Sequence, residues 1–240
     1  MSDWSRFIPQ VSSGLSRMGR SAEAGQMGQI EQFARYLAEQ NRWMNLTAIT
    51  EPEQMAVFHF LDSAALLGAT DFAGKRVVDV GTGAGFPGLP LKLLEPSLSL
   101  VLLDGQRKRV EFLRRSVQIL GLSGVLCLQA RAEEQSRLSG FRDAFDLAVS
   151  RAVADLRVLA ELCLPFVRVG GRFLAMKSTE SQEELEAAGR AIALLGGRLL
   201  PPYVYTLPGG IARTVILVEK DSPTPEAYPR RFVKMKKAPL

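Results

Sequence analysis

The sequence predicts an α/β protein: a mostly parallel sheet preceded by an N-terminal helical extension and followed by a basic tail. Three observations carry this. Two helix-patterned segments lie between Ser21 and Leu67, and from Lys75 short apolar runs alternate with helix-patterned segments, as in a parallel sheet with crossovers. A glycine-rich stretch, Asp79 to Gly88 (DVGTGAGFPG), directly follows the first run.

In the extension, Ser21 to Trp43 places Met27, Ile30, Phe33, Ala34, Leu37 and Ala38 on one stripe, which predicts an amphipathic helix; a second is expected from Pro52 to Leu67. The runs 75–80, 99–104, 125–129, 145–149 and 171–177 read as strands. Arg107 to Leu120 fits a crossover helix with Val110, Leu113, Val117 and Leu120 inward, ended by Gly121. Beyond Gly196-Gly197, runs 203–207 and 214–219 flank Pro208-Gly209-Gly210 and predict a closing hairpin. Segment 221–240 contains four prolines and Arg230, Arg231, Lys234, Lys236 and Lys237, so an extended basic tail is expected. The divisions are thus 1–70, 71–220 and 221–240.

The 240 residues suffice for one substantial domain burying roughly 70% of its unfolded surface. With 30 Lys plus Arg against 25 Asp plus Glu the net charge is +5, which favours polyanionic partners without requiring them. No apolar run is long enough for a membrane span, and MSDWSRFIPQ lacks signal-peptide order, so a cytoplasmic protein is expected. Cys127 and Cys163 have no metal-ligand spacing; buried thiols and no metal are expected. Nothing points to self-association, and a monomer is expected.

The glycine loop is built for backbone to approach a ligand. Gly83 to Gly88 formally matches the G-x-G-x-x-G of nicotinamide and flavin enzymes, but Pro87 and Pro90 interrupt the helix start, and Asp79 stands two residues before Gly81. An acid followed by Gly81, Gly83 and Gly85 suits S-adenosylmethionine better, whose ammonium a carboxylate can neutralise and which has no pyrophosphate to cradle. Asp104 closes the second strand, where an acid accepts from both ribose hydroxyls. After the third strand, Arg131-Ala132-Glu133 places a backbone NH and a carboxylate where an adenine edge would lie. Phe86, within the loop, reads either as a core plug or, as expected of a loop facing ligand, as packing on the cofactor.

The end of the fourth strand reads Ser150-Arg151-Ala152. An Asp or Asn followed by Pro-Pro-aromatic, used on exocyclic amines, is absent, and neither cysteine is placed as a nucleophile for pyrimidine C5. Guanine N7 carries its own in-plane lone pair, so positioning and desolvation suffice there.

The strings Asn45-Leu46-Thr47, His59-Phe60-Leu61-Asp62-Ser63, Asp79 to Gly88, Ser150-Arg151-Ala152, Met176-Lys177 and Tyr228-Pro229-Arg230-Arg231 resemble, in order, the RsmG (GidB) family of bacterial small-subunit rRNA methyltransferases. The resemblance covers nearly the whole chain after residue 40. It implies a class I, Rossmann-like methyltransferase fold with a seven-stranded sheet, and methyl transfer from S-adenosylmethionine to N7 of a guanine in 16S rRNA or the small ribosomal subunit. It also implies that Gly81, Phe86, Ala132, Glu133 and Arg151 are cofactor-site positions. The tail departs from the family, in which Pro-Arg-Arg is usually followed by a Gly-x-Pro step; here Phe232-Val233-Lys234-Met235 follows.

His59, the single histidine, has Asp62 and Ser63 at helical spacing. Three such groups on one turn do not make a hydrolase triad, which draws on separated segments. His59 is either a satisfied helix histidine or a positioning group at the site mouth. Arg151 and Lys177 end adjacent strands on the ligand side and read as contacts to RNA phosphate or the cofactor carboxylate, or as surface charges; Arg213 has the same two readings. Arg230, Arg231, Lys234, Lys236 and Lys237 are expected on RNA, and Arg107, Lys108, Arg109, Arg114 and Arg115 on a solvated helix face. Alternatives are a methyltransferase for protein or small molecules, a nicotinamide-dependent oxidoreductase and a non-catalytic RNA-binding protein.

Overall fold

The computed structural model describes residues 3–151, 154–177 and 182–240, with only the backbone of 182–184. Ala152 of the fourth-strand string lies outside the described residues. The extension holds α1 (Phe7–Arg17), α2 (Ala24–Met44), α3 (Pro52–Met55), a π-helical turn (Ala56–Leu61), α4 (Asp62–Ala64) and α5 (Leu66–Ala69). The core then alternates β1 (Arg76–Val80), α6 (Gly88–Leu94), β2 (Ser99–Asp104), α7 (Arg107–Ile119), β3 (Val125–Gln129), α8 (Ala132–Gln135), β4 (Phe145–Ser150), α9 (Leu156–Cys163), β5 (Val167–Lys177) and α10 (Gln182–Leu194). It closes with β6 (Gly197–Leu199), β7 (Tyr203–Leu207) and β8 (Ile211–Lys220), and α11 (Phe232–Lys237) lies in the tail.

The strand order is β3-β2-β1-β4-β5-β8-β6, with β7 also on β8. The β1–β5 pairings are parallel, whereas β8 runs antiparallel to β5, β6 and β7. The sheet is α/β and mostly parallel, as expected, but has eight strands where seven were implied. The extra one comes from splitting the last edge. β6 pairs with the Val218–Lys220 end of β8 and β7 with its Ile211–Val215 end. Pro201-Pro202 lies between them and supplies no backbone NH for a continuous ladder.

Alternate strand residues face two cores. Val77, Leu100, Leu102 and Leu147 pack with Phe33, Leu37, Phe60 and other apolar residues of the extension, so the extension shares the core of that face. Val78, Val80, Val101 and Phe173 pack with α9 and α10 on the other. α2 begins with a capping box in which Glu23 N donates to Gln26 Oε1, and its Gln26 and Gln29 amides donate to carbonyls at the C-terminal ends of α6 and α7. Hence α2 runs antiparallel to both crossover helices and delivers its own C-terminal end to the mouth of the sheet.

Two expectations are corrected. The helix from Pro52 is not uniform but widens into a π turn carrying His59, a form frequent at functional sites. The tail is not simply extended. α11 buries Met235 completely, Arg230 forms a 2.6 Å ion pair with the buried Glu161 of α9, and Arg142 donates to the Thr224, Pro225 and Tyr228 carbonyls. The apolar stripe of α1 was not anticipated as a helix.

Candidate active site

β1 has β2 on one side and β4 on the other, so the connections diverge at the C-terminal ends of β1 and β4. The crevice at such a switch point is where open α/β sheets bind ligands. The loop 81–87 leaves β1 there and Arg151 leaves β4 there. Gly81 N and Thr82 N donate to Leu103 O at 2.9 and 3.1 Å, hooking the loop over β2. Asp104 Oδ2 accepts from Gly83 N at 3.1 Å and Oδ1 from Gln106 N at 2.8 Å.

The glycines divide by function. Gly81 and Gly83 have φ of +73° and +60°, and a side chain on either would meet no close neighbour, so their bare backbone borders open space. Gly85 was expected to face the ligand, yet its Cα turns inward, where a Cβ would lie 2.6 Å from Leu89 Cδ1 and 3.1 Å from Leu113 Cδ2. It is a packing glycine. At Gly88 a Cβ would stand 2.8 Å from Asp79 Oδ2.

Asp79 is fully buried. Its Oδ2 accepts from Thr82 Oγ1 at 2.6 Å and from Gly88 N at 2.8 Å, while Oδ1 has no partner. Burial pushes its pKa up to about 6, against the opposing hydrogen bonds of Thr82 and Gly88. The carboxylate occupies the N-terminus of α6, where a pyrophosphate would have to sit. This excludes the oxidoreductase reading of the loop.

Phe86 is corrected as well. Its ring is 4% exposed and is packed by Phe33 and Phe60, with His59 stacked at 4.3 Å and the Arg151 guanidinium 5.0 Å from its centroid. The side chain is a core plug, which leaves only the backbone of residue 86 to serve the loop.

His59 and Arg151 meet on this ring. Arg151 donates to Phe58 O at 2.7 Å, to His59 Nδ1 at 3.2 Å and to Asp62 Oδ2 at 3.3 Å. Because a guanidinium only donates, Nδ1 must accept, which puts the imidazole proton on Nε2, 2.9 Å from Thr47 Oγ1. Burial and the Arg151 charge lower the His59 pKa to about 3. It is therefore neutral, engaged at both nitrogens, and unfit as a general base. Both nitrogens are satisfied, as in the first of its two readings, and one of those bonds braces Arg151.

Asp62 was met in the sequence only as a rejected triad member, yet it is the hub of the cluster. Besides Arg151 it accepts from Tyr205 Oη at 2.8 Å and pairs with Arg213 Nε at 3.8 Å. Tyr205 and Arg213 are opposite one another in the β7–β8 ladder. Burial, then Asp62, raise the Tyr205 pKa, so the phenol stays protonated and donates. Arg213, expected on RNA, instead turns into this cluster. A buried carboxylate on an apolar helix was the signal that a cation had to face it.

Ala132 and Glu133 open α8 beside Asp104, with Glu133 paired to Arg131 at 3.2 Å. Lys177 ends β5 and donates to Ala154 O at 2.9 Å. Arg109 pairs with Asp104 at 3.5 Å and Arg107 with Glu111, so the α7 strip is partly engaged. Arg230 is withdrawn from the surface by Glu161, whereas Arg231, Lys234, Lys236 and Lys237 are exposed. Cys127 and Cys163 are free thiols in the core, and burial pushes Cys127 up to about 11. Among the described residues no cluster could hold a metal ion, and no helix is long and apolar enough to cross a membrane.

A family model described as rRNA small subunit methyltransferase G matches residues 26–201. A ribosomal RNA small subunit methyltransferase G of Lachnoclostridium phytofermentans is 44% identical, covering 100% of this chain and 98% of the relative. One of Moorella thermoacetica is 45% identical over 92% of this chain and 93% of its own. A solved precorrin-6y C5,15-methyltransferase of Geobacter metallireducens shares the fold with a TM-score of 0.50, at 15% identity over 72% of this chain and 90% of its own. Matched in this way through the glycine loop, the His59–Arg151 cluster and the sheet that joins them, the chain belongs to the GidB family, rRNA small subunit methyltransferase G.

Proposed function

We propose that this protein transfers a methyl group from S-adenosylmethionine to N7 of a guanine in the 16S rRNA of the small ribosomal subunit, acting as a cytoplasmic monomer. The observation that carries the cofactor is the partnerless, buried Asp79 Oδ1, on the strand that leads into a loop whose Gly81 and Gly83 leave bare backbone beside open space. A buried carboxylate oxygen with no donor is costly unless a cationic donor arrives, and the cofactor's ammonium is one. Asp104 has lone pairs left for two ribose hydroxyls after accepting one backbone NH on each oxygen. Ala132 and Glu133 serve the adenine edge, and Gly81, Gly83 and the backbone of Phe86 line the cradle.

The bound cofactor supplies an electrophilic methyl on a sulfonium. What the chain supplies is position and exclusion of water. Arg151, fixed by Asp62, His59 and the Phe58 carbonyl, presents a rigid cationic edge beside the loop, suited to an acceptor's oxygen or to the cofactor carboxylate. With the histidine neutral and doubly engaged, an acceptor carrying its own free lone pair is favoured, as guanine N7 does. On the RNA side stand Arg231, Lys234, Lys236 and Lys237. Trp43, 83% exposed at the C-terminal end of α2, offers a face for base stacking.

The test is incubation with labelled S-adenosylmethionine and either unmethylated small subunits, free 16S rRNA or total protein, followed by mapping of the label. Label at a guanine N7 is expected. Label recovered only in protein overturns the RNA assignment, and no label with any acceptor overturns the enzyme's assigned reaction.

A further inference from the structure

Arg131 lies two residues beyond the end of β3 and immediately before α8. Its side chain is half exposed and lies along the surface at the C-terminal end of the sheet. A Cβ on Gly105 would be 3.5 Å from both Arg131 Cδ and Nη1, so the stem covers the residue that follows Asp104. Beyond it, Nε is 3.2 Å from Glu133 Oε1, and the guanidinium carbon stands 4.9 Å from the centre of the Phe232 ring. The arginine thus reaches from Gly105, the residue after Asp104, to the Glu133 carboxylate, with one face against the tail.

That tail is anchored firmly enough to hold it. Arg230, two residues before Phe232, donates its backbone NH and its guanidinium to the fully buried Glu161, at 2.7 and 2.6 Å. Arg137 donates to the Glu226 and Ala227 carbonyls, and Met235 on the next turn is fully buried. Phe232 is the first residue of α11, fixed between these two anchors.

We propose that the C-terminal tail is part of the cofactor site: Phe232 holds the Arg131 guanidinium over Gly105, and Arg131 in turn orients the Glu133 carboxylate toward adenine. Phe232 and Arg131 are positioning residues, and the inference rests on the assignment of Glu133 to the adenine edge. A flexible arginine on a half-open surface loses entropy on being ordered, and an aromatic face is the partner that offsets this without taking its hydrogen bonds from Glu133.

The test is calorimetric titration of S-adenosylhomocysteine into the full-length protein and its variants, with a melting curve of each. Phe232→Ala and Phe232→Leu are expected to weaken binding about two- to fivefold, the scale of an exposed cation–π contact, while melting with the wild type. Phe232→Tyr restores binding, because the ring and not the apolar volume is the requirement. Arg131→Ala weakens binding at least as much, and adding Phe232→Ala to it has no further effect. Glu133→Ala separates the two layers of the claim. If Glu133→Ala weakens binding but Phe232→Ala does not, or if the Arg131 and Phe232 effects add independently, the tail's role is overturned and the site assignment stands. If Glu133→Ala binds like the wild type, the adenine assignment fails and this proposal with it.

Discussion

Replacing Asp79 with Asn changes the charge of one fully buried group while keeping its shape. Its carboxyl has a pKa of about 6 in the folded protein against 3.8 as an ordinary aspartate. The native state therefore binds this proton more tightly than the unfolded chain does. The carboxyl's contribution to stability is full below pH 4 and is lost as pH rises through 6. Two pKa steps at 1.36 kcal/mol each put that loss at ~3 kcal/mol between pH 4 and pH 7.5. Asn does not titrate, so the stability difference between variant and wild type should shift by that amount, in favour of the variant, across the same range. The absolute offset also contains the cost of giving Asn an amide donor without an acceptor, roughly 1–3 kcal/mol, which is why the pH-dependent difference is the quantity to measure.

The ligand reverses the sign. An ammonium beside Oδ1 favours the ionised form, so wild-type affinity for S-adenosylhomocysteine should fall towards tenfold per pH unit below 6, with net proton release near pH 6. At pH 7.5 Asp79→Asn should bind about 10- to 150-fold more weakly, the scale of a charge-assisted hydrogen bond. Urea unfolding at a series of pH values gives the first quantity. Calorimetry in two buffers of different ionisation enthalpy gives the second. Stability curves that stay parallel from pH 4 to 7.5, together with undiminished ligand affinity in the variant, would refute the account of the partnerless oxygen.

Three other outcomes are expected. Asp62→Ala leaves Arg151 facing an apolar helix without its carboxylate, and should cost about 3–5 kcal/mol in urea unfolding, the penalty of breaking a buried pair. Arg230→Ala should cost a similar ~3–5 kcal/mol because Glu161 is completely buried, whereas Lys236→Ala with Lys237→Ala should stay within about 0.5 kcal/mol of wild type and lower the salt dependence of RNA binding by about 0.7 in slope per lost phosphate contact. Gly88→Ala places a methyl 2.6 Å from Leu102 Cδ2 and 2.8 Å from Asp79 Oδ2, and should cost about 1–3 kcal/mol and weaken S-adenosylhomocysteine binding, as read by melting curves with and without ligand.

These expectations separate what local sequence can carry from what only the folded register supplies. The strands were legible because a sheet covered on both faces needs largely apolar runs, as in Leu100–Leu103 and in the valines that flank Asp79. Asp79, Gly81 and Asp104 were legible because the loop and the two strand ends that hold them lie within about 25 residues of each other. The π turn was not, since it inserts no residue that an α-helical pattern forbids. Nor was the split of the last edge strand, although Pro201-Pro202 between two β-rich runs marks the break once it is known.

Three arginines have protein partners that the sequence did not point to. Arg151, Arg213 and Arg230 were visible as charges and were read toward ligand or RNA, the partners that a basic chain suggests. In the fold they pair with Asp62 and Glu161, buried acids on largely apolar helical segments, Phe58–Ala65 and Leu156–Cys163. An acid in such a place is the stronger signal, because burying it unpaired is prohibitive and a cation must come from somewhere distant in the chain. Sequence alone does not say which arginine answers; that is set by the β7–β8 register for Arg213 and by the return of the tail over α9 for Arg230. Reading buried acids first leaves as exposed cations those without such a counterpart, and in the tail these are Arg231, Lys234, Lys236 and Lys237, so the charge that the tail can offer a polyanion sits on α11 and its first flank and not on the Pro-Arg-Arg string as a whole.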